Sequence, residues 1–513
     1  MTEAANRVSP VTRDAREHAL LDRAFARAAG APLVAGNGVR LLKNAAENYP
    51  AWLEAIHAAR QKIYFENYFI VDDKTGREFA AALIERARAG VQVRLVYDWM
   101  GSFGKAKRSF WRALSAAGVE VRRFNPPQFT SPLQVLHRDH RKSITVDGTV
   151  GFVTGLCVGD LWAGNPTRGI EPWRDTGIEV RGPALCDVER AFVQVWAACG
   201  GDPIPASELS VRENIAEGGD VPLRIVANAP GTTGIFRLDQ LIAAAARRTL
   251  WLTDAYFAGI PPYVQALRAA ALDGVDVRLL VPGASDIPIL RPLSQAGFRP
   301  LLEAGIRVFE WKGSMLHAKT AVADGRWARV GSSNLNVASW IGNYELDAVI
   351  EHEPTAAMME QMFLADLEYT REIVLQPRRR RYLEAVSGGD DASRDQGRGA
   401  GDPPDEPRAH FRGGGGSTSR AAAGALRIGR AVGAALTEQR VLAHTEARVV
   451  AIVGLLLVAL GVVSVLWPYV VAIPAAIILL WLAITLLIRA YTLRSERRSQ
   501  GLPSTRVTRT SKD

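Results

Sequence analysis

The chain has 513 residues, 48% of them hydrophobic and 22% charged, a balance that builds two or three domains with sizeable cores and excludes a chain disordered throughout. Its net charge of +9 asks for an anionic partner and leaves two classes open, nucleic acid or an acidic membrane surface. Three cysteines, Cys157, Cys186 and Cys199, show no paired metal-ligand spacing and an odd count, which argues against a disulfide framework or a zinc site.

The first segment, residues 1–35, carries acids and no apolar run, so it does not read as a secretory signal. Residues 36–210 and 211–386 then follow one plan twice. "KIYFENYFI" (62–70) and "TLWLTDAYFAGI" (249–260) are β-rich runs, each followed by a helical pattern and a second strand, "GVQVRLVYD" or "GVDVRLLVP". A third strand after a Gly-ended helix, "AAGVEVRRF" or "EAGIRVFEW", completes the series in each half. Strands alternating with helices of about a dozen residues predict two α/β halves, each with a largely buried sheet.

Residues 387–420 are rich in Gly, Asp, Arg and Pro and poor in apolar side chains, the composition of a flexible tether. Residues 421–448 interleave Arg427, Arg430 and Arg440 with helix formers, which suits either a helix lying on an anionic surface or a solvated connecting helix. From Val449 to Ile488 no charged residue occurs, and two apolar runs flank "WPYV". Each run is about 18–20 residues, the length that crosses a hydrocarbon core, so 449–488 reads as two transmembrane helices; a buried or re-entrant hairpin is the competing reading. Arginines at both outer ends, including those of the basic tail 489–513, predict that both ends lie in the cytoplasm.

Nine lysines serve the whole chain, yet two fall in one repeated spacing: "HRKSITVD", with His140, Lys142 and Asp147, and "HAKTAVAD", with His317, Lys319 and Asp324. His and Lys two apart at the start of a strand point to one face and can meet one ligand. An ammonium there neutralises a phosphoryl oxygen, and an imidazole serves as nucleophile or general acid near neutral pH. Each Asp either orients an imidazole or initiates the turn it begins. Two copies at matching places in a repeat exceed what chance supplies in a chain with eight histidines.

The repeated pattern H-x-K-x4-D-x6-G-[GS]-x-N resembles that of the phospholipase D superfamily. The second copy carries it throughout, with Gly331, Ser332 and Asn334 after the His-Lys-Asp set; the first keeps Gly155 but has Thr154 and Cys157 where the pattern has Gly and Asn. Flanking segments such as "YFENYFIVDDKTG", "WRDTGIEVRGP" and "NYELDAVI" are similar to those of bacterial cardiolipin synthases. The resemblance implies two phospholipase D-like halves packed about a pseudo-twofold axis with one active site at their interface. It implies His140, Lys142, Asp147, His317, Lys319 and Asp324 as the catalytic set, and Gly155, Ser332, Asn334 and Glu345 as substrate-binding. One histidine, His140 by analogy, attacks phosphorus to form a phosphohistidine, while the other carries the proton; no metal or cofactor is implied. Cardiolipin formation from phosphatidylglycerol, with phosphatidylglycerol or phosphatidylethanolamine as donor, is the expected reaction, at a bacterial inner membrane with the catalytic halves on the cytoplasmic face. Phospholipase D hydrolysis and phosphatidylserine synthesis are the alternatives. A superfamily nuclease would match the positive charge but has no use for a membrane hairpin, so nucleic acid is not expected as a partner.

Overall fold

The strand-forming runs of the repeat all fold as strands in the computed structural model, which describes residues 10–127, 136–287 and 290–375 and scattered helical positions between 458 and 483. Helix α1 (Pro10–Ala29) precedes the first half. That half comprises β1 (Val34–Lys43), α2 (Asn44–Ala58), β2 (Lys62–Asn67), α3 (Lys74–Arg88), β3 (Gln92–Asp98), α4 (Arg108–Ala116), β4 (Glu120–Phe124), β5 (Ser143–Val146), β6 (Val150–Thr154), the short α5 (Asp160–Ala163), β7 (Thr176–Arg181) and α6 (Leu185–Ala198). The second half comprises β8 (Val221–Asn228), α7 (Gly234–Ala245), β9 (Thr249–Thr253), α8 (Pro261–Leu272), β10 (Asp276–Pro282), α9 (Leu290–Glu303), β11 (Arg307–Trp311), β12 (Thr320–Ala323), β13 (Trp327–Gly331), β14 (Glu345–Glu351), α10 (Glu353–Leu367) and the edge strand β15 (Thr370–Ile373).

Among these residues the strands run β4-β3-β2-β5-β6-β7-β1-β8-β14-β13-β12-β9-β10-β11-β15. Read outward from the β1–β8 contact, both halves have one order, so the sequence repeat is a topological repeat with β15 added at one edge. Strands β2, β3 and β4 are mutually parallel, as are β9, β10 and β11, because a helix returns the chain between each pair. Covered on both faces, the central strands β2 and β5 are buried at every position, the polar Lys62, Glu66 and Asn67 of β2 included.

Helices α2 and α3 bury Trp52, Phe79 and Leu83 against one sheet, and α7 and α8 bury Leu238, Ile242 and Leu267 against the other. Each fully buried side chain of this size contributes about 1.5–3 kcal/mol. A third core joins the halves. Val153, Ile178 and Val180 of β6 and β7 pack on Ala328, Val330, Leu346 and Ala348 of β13 and β14. Two buried arginines lock this contact. Arg141 of the first half donates to the Asn228 and Glu345 carbonyls of the second, and Arg174 forms a two-pronged pair with Asp366 at 2.7–3.0 Å.

Part of the N-terminal segment 1–35 packs on the second half. Phe25 and Ala29 enter the core of the second half, and Asp22 accepts a hydrogen bond from the fully buried Arg224. Among the described residues no helix is long and apolar enough to cross a membrane. The expected tether 387–420, the helix 421–448 and the tail 489–513 lie outside the described residues, as does the hairpin 449–488 apart from scattered helical positions.

Candidate active site

Strand direction gathers the chemistry-bearing residues at one end of each sheet. Ser143, the first residue of β5, pairs with Glu66 near the end of β2, so the preceding His140 and Lys142 sit beside the β2–α3 loop. Thr320 of β12 pairs with Thr253, the last residue of β9, and places His317 and Lys319 likewise. The two ends then meet. The His140 amide donates to the Tyr344 carbonyl at 2.9 Å, and the His317 amide to the Arg174 carbonyl at 2.7 Å, each a bond from one half to the other.

The side chains repeat this exchange. His140 Nδ1 lies 2.9 Å from Glu345 Oε2, and His317 Nδ1 lies 2.7 Å from Asp175 Oδ2. Each imidazole is therefore held by a carboxylate of the opposite half. Both carboxylates are fully buried and further satisfied. Glu345 accepts from the Ser332 hydroxyl at 2.5 Å, the Ser339 hydroxyl at 2.6 Å and the Asn343 amide at 3.1 Å. Asp175 accepts from the Trp162 indole at 3.0 Å and from the Thr176 amide at 2.8 Å.

Burial would raise both acids, but the imidazole opposite each, with Lys142 or Lys319 and the hydrogen bonds, outweighs it and holds both below the ordinary range. Burial pushes the His140 imidazole down, aided by Lys142 against the pull of Glu345. His317 is pushed to about 3 by burial, then by Lys319, against Asp175. The site thus holds two carboxylates and two neutral imidazoles that donate through Nδ1–H and keep the Nε2 lone pair.

Lys142 lies over the Tyr68 ring at 5.1 Å and donates to the His140 carbonyl. Lys319 lies over the Tyr256 ring at 5.8 Å, and its ammonium stands against the His317 ring, 2.8 Å from Nδ1 and 3.0 Å from Nε2. Burial and the second ammonium, Lys142, bring Lys319 down to about 8 against the pull of Asp175. Two cations that act on one another, in an interior that depresses one of them, form a socket for an anion with a shared negative charge. Aromatic rings wall it: Tyr68 meets the His140 ring at 5.1 Å, and Trp162, Trp173 and Tyr256 lie 5.2–5.9 Å from the His317 ring.

The remaining residues of the expected site lie as follows. Asp147 and Asp324 do not reach the imidazoles. They stand beyond strands of four residues, roughly 13 Å long. Asp147 accepts the backbone amides of Arg60, Gln61 and Lys62, each at 2.8 Å, and Asp324 those of Arg247, Arg248 and Thr249 at 2.7–3.0 Å. Both take a left-handed backbone, φ 54°, in an Asp-Gly turn. Glu345, expected to bind substrate, is spent on His140. Ser332 and Gly155 also serve the acids. Ser332 donates to Glu345, and a Cβ at Gly155 would stand 2.3 Å from Asp175 Oδ1, so only glycine admits that carboxylate. Asn334 is buried, and its Oδ1 has no hydrogen-bond partner among the described residues. Cys157, at the matching place in the first half, is a buried thiol pushed up by burial.

Sequence reasoning missed Asp175. The signal was available in the repeat: "WRDTGIEV" and "NYELDAVI" begin β7 and β14, and aligning Arg174 with Tyr344, the two carbonyls that receive the histidine amides, sets Asp175 opposite Glu345.

The family model described as "Cardiolipin synthase, PLD-like domain" matches residues 52–157 and again residues 238–367, one stretch in each half. Cardiolipin synthase of Halalkalibacterium halodurans is 34% identical over 360 residues, which cover 69% of this chain and 71% of that protein. Cardiolipin synthase of Geobacillus kaustophilus is 33% identical over 366 residues, covering 69% and 72%. The crystal structure of phosphatidylserine synthase from Haemophilus influenzae superposes with a TM-score of 0.54 over 69% of this chain and 92% of that one; at 14% identity the likeness is one of fold. With two copies of the His-x-Lys socket at one interface and relatives matched over more than two thirds of their length, the chain belongs to the phospholipase D-like cardiolipin synthase family.

Proposed function

We propose that the chain is a membrane-anchored phosphatidyltransferase that forms cardiolipin from phosphatidylglycerol. The observation that carries the chemistry is the exchanged pairing, in which Glu345 holds His140 and Asp175 holds His317 around two lysines. A diester phosphate in the socket faces Lys142 and Lys319, which neutralise its oxygens as charge builds in the transition state.

His140 is the nucleophile. Among the described residues no ammonium contacts its ring nitrogens, whereas the His317 ring has the Lys319 ammonium 2.8 Å from Nδ1 and 3.0 Å from Nε2, a setting that suits a proton carrier. Nε2 of His140 forms a bond to phosphorus as the P–O bond to the leaving glycerol, or ethanolamine, breaks. His317 delivers a proton to that oxygen. A bound phosphate offsets the two lysines that depress His317, so its affinity for a proton is higher in the complex than in the free enzyme. In the second step His317 takes the proton of an acceptor lipid's primary hydroxyl, which attacks phosphorus and frees His140. Water in place of that hydroxyl gives phosphatidic acid, and the aromatic wall of Trp162, Trp173, Tyr68 and Tyr256 favours the lipid.

The apolar segment 449–488 supplies the anchor as two spans with both ends on the cytoplasmic side, and residues 387–420 tether the halves 36–210 and 211–386 to it. Incubating the purified chain with phosphatidylglycerol alone, with added phosphatidylethanolamine, and with DNA separates transferase, hydrolase and nuclease by product. Acid-labile phosphate trapped from labelled phosphatidylglycerol is expected on His140 and absent from the His140→Ala variant. Label mapped to His317 would reverse the two roles.

A further inference from the structure

Loops leaving the site end of the strands present large apolar side chains to solvent. In the loop after β3, Phe103 is 70% and Met100 45% exposed, with the Trp99 ring beside Phe103 at 5.3 Å. The backbone beneath is braced. Asp98 accepts the Gly101 amide at 2.8 Å, the Asp72 amide donates to the Lys105 carbonyl, and the Lys105 ammonium covers the Phe69 ring at 4.2 Å. Phe69 adjoins Tyr68, which touches His140, so this tip is one layer from the reacting imidazole.

The other half answers it. Val337, 52% exposed, precedes the short π-helical turn Ala338–Gly342, which carries the exposed Ile341 and whose Ser339 holds Glu345. Ile287, also exposed, follows Asp286, the acceptor of the Tyr256 hydroxyl. Single exposed apolar residues are ordinary on a protein surface, but these come from three loops that converge on one mouth. Exposed Lys107 and Arg108 follow the first tip, and exposed Lys312 precedes His317, so the apolar tips are interspersed with positive charge.

We infer that this rim inserts into the headgroup layer of an anionic phospholipid bilayer and seats the mouth of the site on the membrane. The inference rests on the lipid-transfer reading and deepens it. A lipid whose phosphate must reach the socket while its acyl chains stay in hydrocarbon needs the mouth to lie at the surface. Phe103, Met100, Val337, Ile341 and Ile287 would exclude water there, and the lysines would face lipid phosphates. The occupant is a bilayer and not a protein groove partner, because the tips stand apart on separate loops.

The test uses the full chain in vesicles of phosphatidylglycerol and phosphatidylcholine, in a Cys199→Ser background that leaves two buried thiols. Phe103→Cys and Val337→Cys carry an environment-sensitive fluorophore, and Leu272→Cys, at the end of α8 opposite the site, is the control. Rim probes are expected to shift to the blue and to be quenched by acyl-chain nitroxide lipids, with the control unchanged. The double variant Phe103→Ser, Val337→Ser is expected to raise KM for vesicle phosphatidylglycerol about tenfold while turnover of short-chain, monomeric phosphatidylglycerol stays as in the parent. Water-like emission at both rim positions, or an equal loss on the monomeric lipid, would overturn the inference. The probes read insertion whether or not lipid is consumed. A parent chain inert toward phosphatidylglycerol in every form therefore sinks the functional reading alone, and the rim stands or falls on emission.

Discussion

Glu345 and Asp175 sit where a histidine needs an acceptor, and each comes from the half that does not carry its histidine. Replacing either by its amide preserves shape and removes the charge that fixes the Nδ1–H tautomer. Glu345→Gln and Asp175→Asn are each expected to lower kcat by about 10²–10⁴ with KM little changed, by analogy with the loss of a triad carboxylate. Circular dichroism and the thermal midpoint check that the fold persists; a variant with near-normal turnover would mean the acids only pack.

The same groups set a pH profile. Lys319, held at about 8 by burial, loses its proton as pH rises through that value, so kcat/KM is expected to fall above pH 8 in the free enzyme. Bound phosphate stabilises the ammonium and moves the alkaline limb of kcat upward, so the two profiles part. An alkaline limb at one position in both would show that Lys319 is not in contact with phosphate. The stability sign runs the other way for His317. Its folded value of about 3 lies below the ordinary value near 6.5, so the unfolded chain binds more protons between the two. Its contribution is whole above pH 6.5 and is lost as pH falls toward 3, a slope that His317→Asn should flatten in a denaturant series.

At the scale of elements, the Asp-Gly turns give the aspartate of the repeated spacing a structural task. Asp147 clamps the β5–β6 hairpin to the start of β2, and Asp324 clamps the β12–β13 hairpin to the start of β9, each by three backbone amides. The hairpin so fixed carries His and Lys at its other end. Asp147→Ala is expected to cost about 2–4 kcal/mol of stability, since three amides lose a charged acceptor, while kcat per folded molecule stays near normal. A fall in kcat without a fall in midpoint would return Asp147 to the catalytic set. The strands, the helices between them and the His-Lys pairs were legible because hydrophobic period and repeat are local properties. Asp175 was not, because its value lies in a bond to His317, 142 residues away, that only the packing of the halves creates. The docking of α1 on the second half was hidden for the same reason: it depends on Phe25 finding a core built two hundred residues later.

On the scale of the whole molecule, neither half is a site. Each supplies one imidazole, one ammonium and the other half's carboxylate, and Arg141 and the Arg174–Asp366 pair hold the two in register. What the bilayer adds depends on the part beyond residue 375. If 449–488 spans the membrane and 387–420 is a flexible tether, the site is confined within a few nanometres of lipid, since some thirty such residues reach roughly 30–35 Å on average. Truncation after Arg412 is then expected to leave a folded enzyme that turns over lipid in detergent micelles but loses most activity on intact vesicles. The loss should be partly recovered at low salt, where Arg378–Arg381 and the basic residues of the rim still draw the truncated chain to an anionic surface; that attraction is screened within about 10 Å at 0.1 M salt. Activity and flotation measured together across a salt series decide it. A truncated chain that stays on vesicles through a high-salt wash would show that the catalytic halves hold the bilayer by themselves, and the anchoring role of 449–488 would fall.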